Sequence, residues 1–178
     1  MAAAITEFLA AAGHDPTLAP ELRRTPDRVA EAFCESFLDG YAQDPRELLS
    51  ERSPAPDRGP IVVRDVAFHA LCPHHLLPMT GRAHIGYVPR GDVVGFSRLV
   101  KLVDCFAHRL VLQESIAKNV ADALVDVLGA KAAFCALDAD QGCMTLRGVR
   151  RVGSRVWVES IAGDAKLGAR LRQLVPRP

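Results

Sequence analysis

The spacing of apolar positions changes period near residue 60. Before it, the spacing is helical. Residues 2–12 are alanine-rich and read as a short helix closed by Gly13. Thr25-Pro26 reads as an N-cap followed by proline in the first turn, and Val29, Phe33 and Phe37 then recur as one apolar stripe that stops at Gly40. Asp44-Pro45 repeats the cap-and-proline signal for a short helix to about Leu49. Residues 50–60 hold three prolines and a glycine among charged residues, which is the composition of a linker. Beyond Pro60 the period is two. Ile61–Leu71 reads as a strand, Gly81–Val88 as a second and Val93–Phe96 as a short third. Helical spacing returns at Ser97. Leu99, Val103, Phe106 and Leu110 line one helix, and Ile116, Val120, Leu124, Val127 and Leu128 line another that stops at Gly129. Lys131–Leu137, Cys143–Val149 and Arg155–Ile161 read as strands and Asp164–Leu174 as a terminal helix. Strands grouped in this way predict an α+β fold with an antiparallel sheet, its two-helix insert covering one face. The expected organisation is an N-terminal helical segment and linker over 1–59 and a single unit over 60–178.

Charge and cysteine usage narrow the function. The 178 residues carry 22 basic and 21 acidic side chains, a formal net charge of +1, and aromatics make up 6%. Neither a nucleic-acid partner nor a membrane surface is expected from that balance. No apolar run reaches the length of a membrane helix, and the N-terminus lacks the basic start of a signal peptide. The five cysteines, Cys34, Cys72, Cys105, Cys135 and Cys143, are odd in number and irregular in spacing. That is a poor disulfide framework, and it predicts a reducing, cytoplasmic setting with thiols free to act as ligands.

One segment carries chemistry. Cys72-Pro-His-His75 ends the first long strand, and a Cys-x-x-His spacing lets a short loop aim a thiolate and an imidazole at one point, the donor pair that Zn²⁺ prefers. Cys143 is the best third ligand, leaving a fourth position for a water whose pKa the metal would lower to about 7. His74 would then be an unbound histidine beside the metal, suited to proton transfer. The alternative is that Cys72 packs in the core and both histidines lie on the surface. His14, His69, His84 and His108 read as surface residues, and Cys34, Cys105 and Cys135 as core.

These residues also match a family in collinear order. Arg64-Asp-Val-Ala-Phe-His-Ala-Leu-Cys-Pro-His-His-Leu-Leu-Pro78 resembles the zinc-site segment of GTP cyclohydrolase I. Gly81–Pro89, Val94-Gly-Phe-Ser-Arg-Leu-Val-Lys101, Arg109-Leu-Val-Leu-Gln-Glu114 and Gly142-Cys-Met-Thr-Leu-Arg-Gly-Val149 continue the resemblance, and Thr25–Ala30 and Gly40–Pro45 precede it. It spans roughly residues 20–162. The resemblance implies the T-fold, an antiparallel sheet with two helices on one face, assembled as a homodecamer with active sites between subunits. It implies a zinc-dependent hydrolase that opens the imidazole ring of GTP at C8, releases formate, and closes a pterin ring as dihydroneopterin triphosphate. By position, Cys72, His75 and Cys143 are implied as zinc ligands and His74 as the catalytic histidine. Glu114, helped by Gln113, is implied to hold the guanine edge. Ser97, Arg98, Lys101 and Arg147, with Arg28 in addition, are implied as ribose and triphosphate contacts.

Three positions depart from the family. Pro73 replaces a glutamate, which removes a carboxylate and a backbone N–H. Glu31 stands where a basic residue is frequent, one turn after Arg28. Gln141 replaces the histidine two residues before the distal cysteine, and an amide cannot take or give a proton near neutral pH as histidine can. Gln141 therefore predicts that ring opening survives and that the product is a ring-opened formamidopyrimidine or a deformylated pyrimidine. The alternatives are a complete GTP cyclohydrolase I and, in another class, a non-catalytic zinc- and nucleotide-binding regulatory homologue. A nitrile reductase of the same fold ranks below these, because it needs a nucleophilic cysteine outside a zinc trio.

Overall fold

A computed structural model describes residues 1–15, 19–56 and 59–175. The chain divides into two units, Met1–Asp39 and Gly40–Pro178. The first contains α1 (Ala2–Ala11) and α2 (Thr25–Ala32), the latter running on as a π-helical turn over Phe33–Phe37. Thr25 is the first helical residue rather than the cap. Arg24 holds the cap position without a side-chain hydrogen bond, because Pro26 in the first turn already removes one donor that would need a partner. The rings of Phe33 and Phe37 meet at 5.5 Å between centroids. Cys34, expected in the core, is exposed on this turn.

The second unit opens with α3 (Pro45–Leu48), capped by Asp44, whose carboxylate accepts from the Arg46 N–H at 2.8 Å. A strand then lies inside the segment that composition marks as linker: β1 (Arg52–Pro54) pairs antiparallel with β4 (Asp92–Val94). Residues 57 and 58 of that linker reading lie outside the described residues. Arg52 anchors the strand by donating to the carbonyls of Leu49, Val127 and Leu128.

The main sheet is antiparallel, in the order β2 (Ile61–Leu71), β3 (Pro78–Val88), β5 (Ala132–Gln141), β6 (Val156–Gly163). A register shift between Val63 and Val66 centres on Asp65, whose φ of 58° is the left-handed turn of a bulge. Helices α4 (Phe96–Ala107) and α5 (Gln113–Asp126) lie on one face and close the main core. Leu99, Leu102, Val103, Ile116, Val120 and Leu124 from the helices and Phe68, Ile85, Tyr87 and Leu137 from the sheet are buried there. This is the α+β arrangement that the strand grouping predicts. The terminal helix α7 (Ala165–Gln173) covers one end of the other face, where Leu171 and Val175 meet Phe134. No described helix is long and apolar enough to cross a membrane.

Three local readings are corrected. Leu110 lies beyond the end of α4 and bridges to Leu71. Cys143–Val149 is not a strand. β5 runs on to Gln141, and Cys143 sits in the single turn α6 (Gly142–Thr145), so the chain turns away from the sheet at that point. His84, expected on the surface, is buried, with its Nδ1 accepting from the Asp65 N–H at 3.3 Å.

Candidate metal centre

Cys72 follows β2 and leads a tight loop into β3. The Cys72 N–H donates to the Leu77 carbonyl at 3.0 Å, and the Cys72 carbonyl accepts from the Leu76 N–H at 2.8 Å. Leu76 takes a φ of 53° to complete the reversal. Pro73 enters this turn at its first position, where a missing N–H costs nothing, so the departure fits the local backbone. The loop exposes His74 and His75 and buries Cys72.

Cys143 reaches the same point from the other side of the sheet end. β3 and β5 pair Met79 with Gln141, and α6 then turns back over the loop. Gly142 makes the turn possible: a Cβ there would lie 2.7 Å from the Pro78 carbonyl oxygen. The ligand atoms of Cys72, His75 and Cys143 all lie within 4.8 Å of one another. Two sulfurs and one imidazole converging at that range are the donor set of a tetrahedral soft-ligand site with one position left open. Burial pushes the Cys143 thiol up in pKa and the neighbouring Cys72 adds to this, while its own backbone hydrogen bond and Arg147 pull it down. Two soft sulfur donors and an imidazole brought this close together are the donors a metal ion of this class takes, so these residues fit a bound metal ion.

The remaining candidates divide into three groups. Near the cluster, Arg147 Nη1 lies 2.8 Å from His75 Nε2, and the His74 ring meets the His75 ring edge-on at 6.2 Å. Gln113 and Glu114 open α5, which is tied to the same end of the sheet where the Val111 N–H donates to the Leu71 carbonyl at 3.1 Å. The Glu114 carboxylate is exposed. Gln113 is buried, and its Nε2 donates both hydrogens, to Leu137 O at 3.0 Å and Val156 O at 2.9 Å. Its Oε1 accepts from Gln141 Nε2 at 2.6 Å. The fold thus uses the whole amide that the resemblance assigns to guanine.

Ser97, Arg98 and Lys101 are elsewhere. They belong to the start of α4, which follows β4, and the Val94 N–H donates to the Tyr87 hydroxyl at 3.2 Å. Tyr87 stands nine residues from Pro78 on β3, about 30 Å of strand from the cluster. Ser97 and Lys101 are exposed, and Arg98 pairs with Glu51. Within one chain these three and the thiol cluster occupy opposite ends of the sheet. Arg28 is exposed on α2 in the first unit.

Sequence reasoning missed Arg109. Its Nε donates to Cys105 O at 2.7 Å and its Nη2 to Gly40 O at 2.8 Å, and the guanidinium lies over the rings of Tyr41 and Phe106. It fixes the link between α4 and α5 that delivers Glu114. Cys105 and Cys135 are buried as expected, and burial pushes the Cys135 thiol up to about 12, so it is inert.

Comparison with known proteins agrees with this geometry. The family model for GTP cyclohydrolase I matches residues 1–176. A GTP cyclohydrolase 1 of Corynebacterium aurimucosum is 40% identical over 172 residues, covering 96% of this chain and 87% of its own. One of Dehalococcoides mccartyi is 38% identical over 162 residues, covering 90% and 85%, and one of Streptococcus pneumoniae is 41% identical over 152 residues, covering 85% and 82%. A crystal structure of the archaeosine synthase QueF-Like in the apo form matches 61% of this chain and 98% of its own with a TM-score of 0.51 at 16% identity, which is a likeness of fold and identifies the T-fold. With near-complete coverage by its relatives and a Cys-His-Cys cluster at the end of its sheet, the chain belongs to the GTP cyclohydrolase I family.

Proposed function

We propose that the protein is a zinc-dependent hydrolase that opens the imidazole ring of GTP, or a close guanine nucleotide, at C8 and stops at a ring-opened pyrimidine. The observation that carries this reading is the convergence of Cys72, His75 and Cys143 within 4.8 Å, with His74 on the same loop and Glu114 at the same end of the sheet. Cys72, His75 and Cys143 would hold Zn²⁺, which when bound supplies Lewis-acid activation of water at neutral pH. The other steps belong to the chain. Glu114 accepts from the adjacent guanine N1–H and 2-amino group, orienting the base. His74 gives a proton to the nitrogen that leaves C8 as the ring opens. Gln141 exchanges no proton, and its amide is engaged with Gln113, so the later ribose rearrangement lacks a proton carrier at that position.

Ser97, Arg98, Lys101 and Arg147 are the proposed triphosphate contacts, with Arg28 a further one. The separation of the start of α4 from the thiol cluster along β3 favours an arrangement in which a second copy of the chain contributes Ser97, Arg98 and Lys101. A homodecamer with shared sites satisfies that need. A reducing cytoplasm suits two cysteines that act as metal ligands.

The test is incubation of the zinc-loaded protein with GTP, followed by mass spectrometry and a formate assay. The expected product is GTP plus one water, or, after hydrolysis of the formyl group by a second water, GTP plus two waters less formic acid, a composition one water heavier than dihydroneopterin triphosphate. Efficient formation of dihydroneopterin triphosphate would overturn the truncated reaction, and absence of any ring-opened product would leave a binding homologue. In parallel, Gln141→His is expected to yield fluorescent pterin.

A further inference from the structure

The polarity of the Gln113 amide has no freedom. Its two N–H groups go to backbone carbonyls of β5 and β6, and carbonyls only accept, so Oε1 is the atom left to face residue 141. That atom needs a donor. Gln141 supplies it through Nε2, which also approaches Met79 Sδ at 3.8 Å. Gln113 is the first residue of α5 and Glu114 the second, so whatever holds Gln113 holds the turn that carries the Glu114 carboxylate. The backbone under Gln141 is held in turn, because Thr145 Oγ1 donates to Asp140 Oδ1 at 2.9 Å and reaches the Gln141 carbonyl at 3.2 Å. A run of hydrogen bonds thus joins the last residue of β5 to the first turn of α5.

We propose that Gln141 is a positioning residue for guanine recognition: through Gln113 it fixes the first turn of α5, and so sets where Glu114 meets the base. The inference rests on the assignment of Glu114 above. It gives Gln141 a function of its own in this chain rather than only a lost proton carrier. A side chain at 141 without a donor leaves Gln113 Oε1 buried and unpaired, and the amide then pulls on the two strands that fix it.

The experiment uses full-length protein and two readouts: equilibrium binding of GTP to metal-free protein, and KM and kcat for ring opening with zinc loaded. Gln141→Met keeps the length and removes the donor. It is expected to raise the Kd and KM for GTP about tenfold, with kcat changed less than about twofold and zinc content unaltered. In a Glu114→Gln background the same substitution is expected to add nothing, because the effect passes through that carboxylate. Gln141→His, which keeps an N–H donor, is expected to restore GTP binding to within about threefold. Wild-type GTP binding by Gln141→Met, an equal loss in both backgrounds, or no recovery in Gln141→His would each overturn the proposal. Should Gln141→Met not fold, Gln141→Asn, one methylene too short to reach Gln113, carries the same comparison. If Glu114→Gln alone leaves GTP binding unchanged, the assignment of Glu114 is what fails. Product identity bears only on the truncated reaction.

Discussion

Arg147 holds the outer nitrogen of His75, with Nη1 2.8 Å from Nε2. A guanidinium has only donors, so Nε2 accepts in this contact with the ring's one free lone pair, and the contact would give way where that lone pair goes to a metal ion. The residue sits beside the thiol cluster without belonging to it, on the exposed stretch after α6.

Replacing Arg147 by alanine is therefore expected to spare the metal and weaken the nucleotide. Zinc content by elemental analysis should stay at the wild-type level. The KM for GTP should rise about tenfold, the scale of one lost charge-assisted contact, and the KM for guanosine far less. An equal rise for both would show that the arginine does not meet phosphate.

Gly142 tests how the third ligand is placed. A Cβ there meets the Pro78 carbonyl oxygen at 2.7 Å, and both atoms are part of, or next to, rigid backbone. Gly142→Ala must push α6 away from the start of β3 and carry Cys143 with it. Zinc affinity, read by competition with a chromogenic chelator, is expected to fall about 10- to 100-fold. Cys143→Ser serves as the reference for loss of a ligand.

Gln113→Leu is expected to destabilise the fold by about 3 kcal/mol in denaturant unfolding, because Leu137 O and Val156 O lose their shared donor in a buried place. Gln113→Glu should cost more, since a carboxylate would set oxygens against both carbonyls. A loss under about 0.5 kcal/mol in Gln113→Leu would mean that water replaces the amide.

His84 supplies a pH dependence. Burial pushes its pKa below 6.5, Asp65 and Asp138 pull it back up, and Arg64 lowers it further; the Trp157 ring lies 5.8 Å away. The folded state therefore prefers the neutral ring. Stability is fully present above about pH 6.5 and is lost as the pH falls from there towards the lower folded pKa. In unfolding free energies measured from pH 7.5 to 5, roughly the span in which an unperturbed histidine titrates, His84→Gln should flatten part of the wild-type decline. Identical slopes would remove His84 as its source.

Much of the fold was legible because its signals are local. The change of period at residue 60, the Asp44-Pro45 cap and the Gly129 stop each depend on a few adjacent residues, and each lies within three residues of an observed boundary. The errors have long-range causes. Cys143–Val149 alternates like a strand, but the contact between Gly142 and Pro78 turns the chain away first. β1 hides among prolines because its partner lies 40 residues further on. In the candidate site, the Cys-x-x-His spacing was visible, whereas the inward amide of Gln113 was not, since its carbonyl partners lie 24 and 43 residues away. His84 looked like a surface residue because nothing nearby in sequence announces the bulge at Asp65 that receives it.

The seam between β5 and α6 has an evolutionary consequence. Residue 141 is the last position of an extended strand and Cys143 belongs to the turn after it, so the two are carried by different backbone geometries. Selection can exchange the side chain at 141 without retuning the anchor of Cys143, the third candidate ligand. The two positions can then diverge separately, one at the end of the sheet and one in the turn that follows it.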